Sequence, residues 1–596
     1  MHVEPEMARA LPRPPRAHPR LALVLRAVAG ALVLGFVQHW RYGYSAGNGD
    51  HRVLSAQGMH WADPTLFAGD WFLERSPQPH WLFDVVTWFG MEIGKLSTVY
   101  VGYWALSLLA FGLATALLAR RWAPAHQSTA TVLVCFLAGM MPWWLLGTGS
   151  PLYPNALPVV LAGCMVYLVV AALFTDHRTF AAVAAVVAAA VHLQQGMVLA
   201  ILLIGLAAVR FHLGRLPGTG RRRVDRVLLL GGAGCAAVVL FGLWLRPVAG
   251  EISDFAQICT QLIPYHCEAS SWSTHVVWAG MALVGLAVLS CLYFSRSTIA
   301  TWAVLIALPA FGLVVGVAAD RWNVPMVGEL AQGLNVYRLD VVLLPMAVWG
   351  LIVPLFAPVK TWVRLIALGA VIGLGYLLAG SYTFDPRWMF ERPNGGPWLL
   401  LFAGALVVGA AAMAVRARKP GWATGTNGVV HGSALAVVGA VLAAVFSAGA
   451  PPLRTFDVVY ISDNDIHDWG MAVRRTLPPG AQLISPPLGQ YIRMASGRGV
   501  VADCKNVPYG GDAWIEYQHR INSIGGLEQC LMKIPSVFFT LPLERYTQVA
   551  REFGADYLVV EEGMQWRIPE LVAAGWTIVL EPVSKLRNTV LRAPVN

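Results

Sequence analysis

The segment SAGNGDHRVLSAQGMHWADPTLFAGDWF, from Ser45 to Phe72, concentrates the residue types that can move protons. It contains Asp50, Asp63 and Asp70, and His51 directly follows the first of them. Carboxylates and imidazoles are common general bases, and a positioned base accelerates a reaction by about 10²–10⁴-fold. The segment follows the first long apolar stretch of the chain. The sequence therefore predicts proton-transfer chemistry beside a membrane.

The three carboxylates differ in how well a structural role explains them. Asp50, in GNGDHR, is the predicted general base, with a solvated loop acid or a helix cap as the alternative. Asp63 precedes Pro64, a pair typical of a turn or a helix start. Asp70, between Gly69 and Trp71, is predicted as a second catalytic acid that binds the acceptor or a metal.

Polar residues interrupt the apolar segment AAVHLQQGMV, where His192, Gln194 and Gln195 follow one another closely. Polar side chains at membrane depth are costly and usually face a cavity. His192 and Gln195 are therefore predicted to bind substrate, as is His51 in the first segment. The alternative is that these side chains fill the tip of a helical hairpin.

A second polar group, Tyr337 and Arg338, precedes a later apolar stretch in GLNVYRLDVVLL. Arginine binds phosphate through two parallel hydrogen bonds. Arg338 is therefore the predicted anchor for a lipid phosphate, with Tyr337 beside it in the substrate site. An ion pair between Arg338 and Asp340 is the alternative.

Two further groups of residues were weighed as sites. Arg493, Arg498 and Lys505 follow one another and could hold an anionic acceptor, or form a solvated basic face. His266 and His275 lack the spacing of zinc ligands, so no metal-binding residue is predicted. A divalent cation such as Mg²⁺ or Mn²⁺ stays open as a cofactor.

Composition places these residues in an integral membrane protein. The 596-residue chain is 57% hydrophobic and 13% charged, whereas soluble domains carry about 25% charged residues. The apolar runs are near the length of a membrane-spanning helix and lack the short alternating pattern of an outer-membrane barrel. The predicted spans are 21–38, 99–119, 128–147, 156–174, 179–193, 196–210, 227–247, 275–294, 299–318, 340–357, 363–381, 397–415 and 432–450.

Charge between the spans predicts the orientation. With the N-terminus in the cytoplasm, the inner segments hold 19 Lys and Arg against 4 Asp and Glu, as the positive-inside rule requires. The net charge of +10 is thereby explained without a nucleic-acid partner. The C-terminus then lies on the outer side of a bacterial inner membrane, in the periplasm or the exterior.

Cysteine positions agree with this orientation. Cys259, Cys267, Cys504 and Cys530 all fall in segments predicted to lie outside. An oxidising exterior favours the disulfides Cys259–Cys267 and Cys504–Cys530. Free thiols are the alternative, because sequence does not establish geometry.

Three regions follow from these patterns. Residues 1–20 form a basic cytoplasmic N-terminus, and residues 21–450 form a helical membrane domain with a large outer loop at 39–98. From Pro451 onward, predicted helices alternate with short strands. That alternation predicts a soluble α/β domain over 451–596 on the outer side.

This architecture, with the acidic residue of GNGDHR in the first outer loop, resembles the GT-C class of glycosyltransferases. The resemblance implies a polyprenyl-phosphate-linked sugar as donor, with Asp50 as the catalytic carboxylate. It further implies an envelope glycan, lipid or protein as acceptor, in contact with membrane lipids. The stretches WGMAVRRTLPPGAQLISPP and YIRMASGRGVVADCKNVPY are similar to uncharacterised bacterial membrane proteins of this type.

Two other functions remain open at this point. A transporter or flippase of lipid-linked or amphipathic substrates would have a similar number of spans. The chain shows no internal repeat, and Arg26 is the main ionisable residue within a span, so alternating access is less favoured. A non-catalytic scaffold for envelope enzymes is the third option.

Overall fold

The structure is a computed structural model that describes most of the chain. The described residues are 19–47, 49–76, 78–140, 152, 155–213, 225–246, 250–272, 274–289, 299–356, 456–457, 459–532 and 534–594. Most of the basic N-terminus and the predicted spans 363–381, 397–415 and 432–450 lie outside these residues.

The described chain up to residue 356 is helical. Its longer helices are Pro19–Tyr42, Leu96–Trp122, Gln127–Met140, Pro158–Phe174, Arg178–Val191, Leu193–Leu213, Arg226–Leu245, Thr274–Leu289, Leu308–Arg321 and Asp340–Phe356. Its shorter helices are His51–Leu54, Ala56–Ala62, Trp71–Arg75, Trp81–Glu92, Ile252–Leu262, Pro264–Cys267, Ile299–Trp302 and Val327–Gly333. A π-helical turn at Ala303–Ala307 and 3₁₀ turns at Ala269–Ser271 and Val336–Leu339 complete this part.

Five helical segments among the described residues are long and apolar enough to cross a membrane. They are Pro19–Trp40, Leu96–Trp122, Leu193–His212, Arg226–Leu245 and Ile299–Arg321. Three shorter helices, Gln127–Met140, Pro158–Phe174 and Arg178–Val191, are also apolar. A helical membrane protein is therefore supported, while the predicted number of thirteen spans stays a prediction.

The segments predicted as 179–193 and 196–210 form a hairpin. The helices Arg178–Val191 and Leu193–Leu213 are separated by His192 alone, whose backbone is extended. Their far ends meet at Asp225, whose Oδ2 accepts hydrogen bonds from Arg178 at 3.0 Å and from Arg210 at 3.2 Å. His192 therefore lies at the tip, on the opposite side from this charged cluster.

The C-terminal part contains a five-stranded sheet in the order β4-β3-β5-β7-β6. The parallel strands are β3 (Gln482–Ile484), β4 (Gly499–Val500) and β5 (Tyr557–Val560). β6 (Thr577–Leu580) and β7 (Thr589–Arg592) close the sheet as an antiparallel pair. β5 is buried along its whole length, as expected for a parallel strand covered on both faces.

Helices connect and cover these strands. They are Asn464–Thr476, Tyr491–Ser496, Gly511–Ser523, Glu528–Met532, Ser536–Phe539, Leu543–Phe553 and Ile568–Ala573, with a 3₁₀ turn at Glu562–Arg567. Asp463 caps the first of them, since its Oδ1 accepts from the N–H groups of Asp465 and Ile466 at 3.0 and 3.2 Å. Gly554 ends the helix Leu543–Phe553 with φ of 61°, a left-handed conformation that glycine adopts without strain.

The sheet packs against the first outer segment of the membrane domain. The short strand β1 (Tyr44–Ser45) pairs in parallel with β2 (Phe456–Asp457). The Trp71 indole donates to the carbonyl of Val500 at 3.1 Å, and the Phe67 N–H donates to the carbonyl of Gly497 at 2.7 Å. Residues distant in sequence are therefore brought together where these two parts meet.

Both predicted cysteine pairs are disulfides in the structure. Cys259–Cys267 closes the turn after the helix Ile252–Leu262. Cys504–Cys530 joins the loop after β4 to the helix Glu528–Met532. Cys135, Cys164 and Cys235 are buried in the described apolar helices.

Candidate functional site

Asp50 lies at the junction between the membrane helices and the C-terminal sheet. It occupies the position before the helix His51–Leu54, but its side chain makes no capping hydrogen bond. Instead, its Oδ1 accepts from the ammonium of Lys505 at 2.5 Å. The Asp50 side chain remains 48% exposed, so a ligand can reach it.

Lys505 is presented to this junction by a tight turn. The Asp503 Oδ1 accepts from the N–H groups of Lys505 at 2.8 Å and Asn506 at 2.7 Å. The Tyr517 hydroxyl donates to the carbonyl of Asp503 at 3.0 Å. Burial raises the pKa of Asp503, while these hydrogen bonds and the charge of Arg493 oppose that shift. These hydrogen bonds hold the backbone of Lys505 in the turn and direct its side chain to Asp50.

Arg338 approaches the site from the membrane domain. It lies in the 3₁₀ turn Val336–Leu339 and donates from Nη1 to the Gln194 side-chain oxygen at 3.0 Å. Gln194 is held in turn by its donation to the carbonyl of Leu334 at 2.9 Å. The hairpin tip therefore orients the guanidinium that the sequence predicts as phosphate anchor. The side chain of Asp340, its alternative partner, is not among the described side chains.

The imidazole rings of His80 and His192 are in contact. Their ring centroids lie 4.8 Å apart, and the rings are tilted by 47°. Among the described residues, the buried Nδ1 atom of each ring has no hydrogen-bond partner. Burial, together with the charge of Arg338, lowers the pKa of His80 to about 4, and the charge of Asp50 opposes the shift. His80 was not predicted as a site residue, because PQPHW carries no signal beyond the start of the helix Trp81–Glu92.

Tyr509 connects these groups electrostatically. Burial raises the pKa of its hydroxyl; the charges of Arg338 and Lys505 oppose that shift, and the Asp50 carboxylate adds to it. All three charges therefore act on one ring. The site thus contains one accessible carboxylate and two cations, contributed by three distant parts of the chain.

Asp70 makes structural contacts through both carboxylate oxygens. Its Oδ1 caps the helix Trp71–Arg75 by accepting from the N–H of Leu73 at 3.1 Å. Its Oδ2 accepts from Nε of Arg493 at 2.6 Å, and both side chains are 1% exposed. This buried ion pair ties the first outer segment to the C-terminal sheet. Asp70, the predicted second acid, therefore has no accessible oxygen for a substrate.

His51 is likewise held by the backbone. Its Nδ1 accepts from the N–H of Gly47 at 2.9 Å, so the protonated Nε2 donates to the carbonyl of Ala156 at 2.8 Å. Burial lowers the pKa of His51 to about 4, which keeps the ring neutral. His51 positions the loop around Asp50 and has no ring nitrogen left for a ligand.

The remaining predicted residues are buried near the hairpin tip and the 3₁₀ turn. Tyr337 is fully buried, and its hydroxyl donates to Oδ2 of Asp320 at 3.3 Å. Gln195 is 3% exposed and follows His192 in the first turn of the hairpin's second helix. Tyr337 therefore supports Arg338 rather than facing the Asp50 carboxylate.

Arg493 and Arg498 are buried and bonded within the C-terminal part, so they form neither a solvated face nor an anion site. Arg493 lies between the rings of Phe67 and Phe72, at 5.1 and 5.5 Å from their centroids. Arg498 is 3% exposed and donates to carbonyls that include that of Leu477 at 2.9 Å. Of the three predicted basic residues, Lys505 alone reaches the candidate site.

A divalent cation does not fit the described site. No group of three or more His, Cys, Asp or Glu side chains is arranged to hold a metal within the described parts of the chain. The accessible carboxylate of Asp50 already accepts from the ammonium of Lys505, and a second cation on the same carboxylate is disfavoured. No step below is therefore assigned to a metal.

Comparisons with known proteins identify the C-terminal part only in outline. The family model described as "Domain of unknown function (DUF6798)" matches residues 464–524. The crystal structure of ArnT from Cupriavidus metallidurans in the apo state is similar over 96% of this chain and 98% of that chain, at 15% identity and a TM-score of 0.38. A TM-score this low carries no argument about fold or activity. Among curated proteins, no match is found.

Proposed function

We propose that this protein is a membrane glycosyltransferase of the GT-C type. It transfers a sugar from a polyprenyl-phosphate donor to an envelope glycan, lipid or protein at the outer face of a bacterial inner membrane. The observation that carries the proposal is the site around Asp50, where a half-exposed carboxylate contacts Lys505 and where the charges of Asp50, Lys505 and Arg338 all act on Tyr509. This site lies at the junction of apolar helices and a sheet domain that contains a disulfide.

The chemistry requires one base and one cation. Asp50 removes the proton from an acceptor hydroxyl while the hydroxyl oxygen attacks the anomeric carbon of the sugar. A bond forms from that oxygen to the carbon, and the bond from the carbon to the phosphate oxygen breaks. The electron pair leaves on the polyprenyl phosphate, whose charge the guanidinium of Arg338 stabilises. The phosphate is already a good leaving group, so a second carboxylate is not required.

Contacts and burial favour Asp50 as the base over Asp63 and Asp70. Asp70 is buried against Arg493. Asp63 accepts from the N–H and the hydroxyl of Thr65 at 3.0 and 2.7 Å, which is a local turn. The Asp50 side chain is half-exposed, and it contacts Lys505, a cation that could bind a phosphate.

The test compares a deletion strain complemented with wild type, Asp50→Asn or the matched control Asp63→Asn. Mass spectrometry profiles envelope glycans and polyprenyl-phosphate sugars, and immunoblotting measures the protein in the membrane. We expect the deletion and Asp50→Asn to lose a glycan and accumulate a lipid-linked sugar, while Asp63→Asn behaves as wild type.

Restoration of the wild-type profile by Asp50→Asn would remove Asp50 as the base and overturn the mechanism. A deletion that accumulates a lipid-linked product on the cytoplasmic side, and that Asp50→Asn restores, would favour a flippase. A deletion with no change in any lipid-linked sugar would favour a scaffold.

A further inference from the structure

We propose that Lys505 is a second phosphate-binding residue, which leaves Asp50 when the donor binds and thereby frees the base. This inference rests on the proposed function and deepens it. The C-terminal sheet domain then completes the donor site, and the Asp50–Lys505 ion pair is the resting state of the unliganded protein.

The contact itself blocks the base. The Lys505 ammonium donates to Oδ1 of Asp50 at 2.5 Å, and an oxygen that accepts from an ammonium is a poor acceptor for a hydroxyl proton. Removing the ammonium restores the basicity that the proposed reaction requires. The phosphate of the bound donor gives the Lys505 ammonium another partner, so Asp50 is released when the donor is in place.

The exchange is energetically easy because the pair is accessible. The Lys505 and Asp50 side chains are 31% and 48% exposed, and exposed ion pairs contribute little stability. A phosphate offers several charged oxygens, and hydrogen bonds between ions are about twice as strong as neutral ones. Lysine carries its charge on a flexible stem, so the ammonium can move without the backbone.

The backbone of Lys505 is built to stay in place during this movement. The Asp503 carboxylate holds the turn, accepting from the Asn506 side-chain amide at 2.6 Å as well as from the main chain. The neighbouring Cys504 is bonded to Cys530, and its N–H donates to the carbonyl of Pro487 at 2.9 Å. This turn keeps the ammonium within reach of the same small region.

Arg338 gives the second side of the phosphate site. The charges of Arg338 and Lys505 both act on Tyr509, so an anion beside that ring lies in the field of both. Arg338 comes from the membrane domain and Lys505 from the sheet domain. A phosphate bound by both residues would bridge the two parts of the chain.

A purely structural role for Lys505 is not needed to join these parts. The buried pair of Asp70 and Arg493 already connects the first outer segment to the C-terminal sheet. Backbone hydrogen bonds such as Phe67 to Gly497 at 2.7 Å reinforce it. The exposed Asp50–Lys505 pair adds little to this connection, and its accessibility indicates a role in binding.

The experiment measures binding to the purified full-length protein in detergent, with farnesyl phosphate as the probe and farnesol as the uncharged control. We expect Lys505→Met to weaken farnesyl phosphate binding by about 10-fold or more, the value of one charge-assisted hydrogen bond. Farnesol binding should not change. Lys505→Arg should retain most of the affinity, and Lys585→Met, which removes an exposed lysine elsewhere in the sheet domain, should bind as wild type.

Asp50→Asn gives the decisive result. If Lys505 exchanges partners, removing the Asp50 carboxylate that competes with the phosphate should tighten farnesyl phosphate binding relative to wild type. If the ion pair only joins the two domains, the affinity should not increase. Wild-type affinity in Lys505→Met, or no tightening in Asp50→Asn, would overturn the inference. Failure of the proposed function is separate, since it would appear as unchanged glycans in the deletion strain whatever the binding results.

Discussion

The buried ion pair between Asp70 and Arg493 should be the main electrostatic link between the first outer segment and the C-terminal sheet. Asp70→Asn tests this, because asparagine keeps the size of the side chain and an oxygen that can cap the N–H of Leu73. With that oxygen on Leu73, the substitution removes both the charge opposite the guanidinium and the oxygen that accepts from its Nε, at 2.6 Å in the wild type.

The expected loss follows from what remains around Arg493. Its Nη1 donates to the carbonyl of Arg52 at 3.4 Å and to the side-chain oxygen of Asn506 at 3.2 Å, and both acceptors are neutral. A buried charge that loses its partner typically destabilises a protein by about 3–5 kcal/mol. The matched control is Asp50→Asn, which breaks a half-exposed pair between the same two segments and should cost about 1 kcal/mol or less.

Urea unfolding of the detergent-solubilised protein, followed by tryptophan fluorescence, measures both variants. We expect the transition that reports the C-terminal part to move to lower urea in Asp70→Asn and to stay near wild type in Asp50→Asn. Adding Arg493→Met to Asp70→Asn should recover more than half of the loss, because the unpaired charge is gone. If Asp70→Asn costs no more than Asp50→Asn, the assignment of this pair as the link between the two parts is wrong.

Two predictions concern the pH dependence of stability in the same unfolding assay. His51 has a pKa of about 4 in the folded protein against 6.5 when unfolded, so stability should fall by about 1–3 kcal/mol as pH falls from 6.5 to 4, and His51→Gln should flatten that slope. Burial raises the pKa of Asp84 from 3.8 to about 8 despite Arg246 at 3.3 Å, so the stability that the protonated Asp84 contributes should decrease as pH rises from 3.8 to about 8 and level off above that. Asp84→Asn should remove that decrease; a wild-type slope in either variant would contradict the assignment.

Local patterns were sufficient where physical chemistry acts over short distances. Composition indicated a helical membrane protein, and helices of suitable length and apolarity are present. In the C-terminal part, β3 lies within AQLISPP, which ends in two prolines, and the helix in LERYTQVAREFG ends before Gly554. These features depend on periodicity, capping and side-chain hydropathy, all of which are read from neighbouring residues.

The roles of individual charged residues depended on contacts between distant segments. Asp70 had no evident local partner in sequence, yet it pairs with Arg493 across 423 positions. Lys505 follows Arg493 and Arg498 in sequence, and nothing in that order distinguishes the three residues. Only the folded structure brings Lys505 to Asp50, 455 positions away.

The sequence by itself indicated a membrane protein and located its polar segments, and it suggested two cysteine pairs without establishing their geometry. The tertiary structure decided that Asp50 stays accessible and that Asp70 is buried in an ion pair with Arg493. The physical reason is that burial and charge pairing are properties of the packed junction between the first outer segment and the sheet. No periodic pattern along either segment encodes where the other will lie.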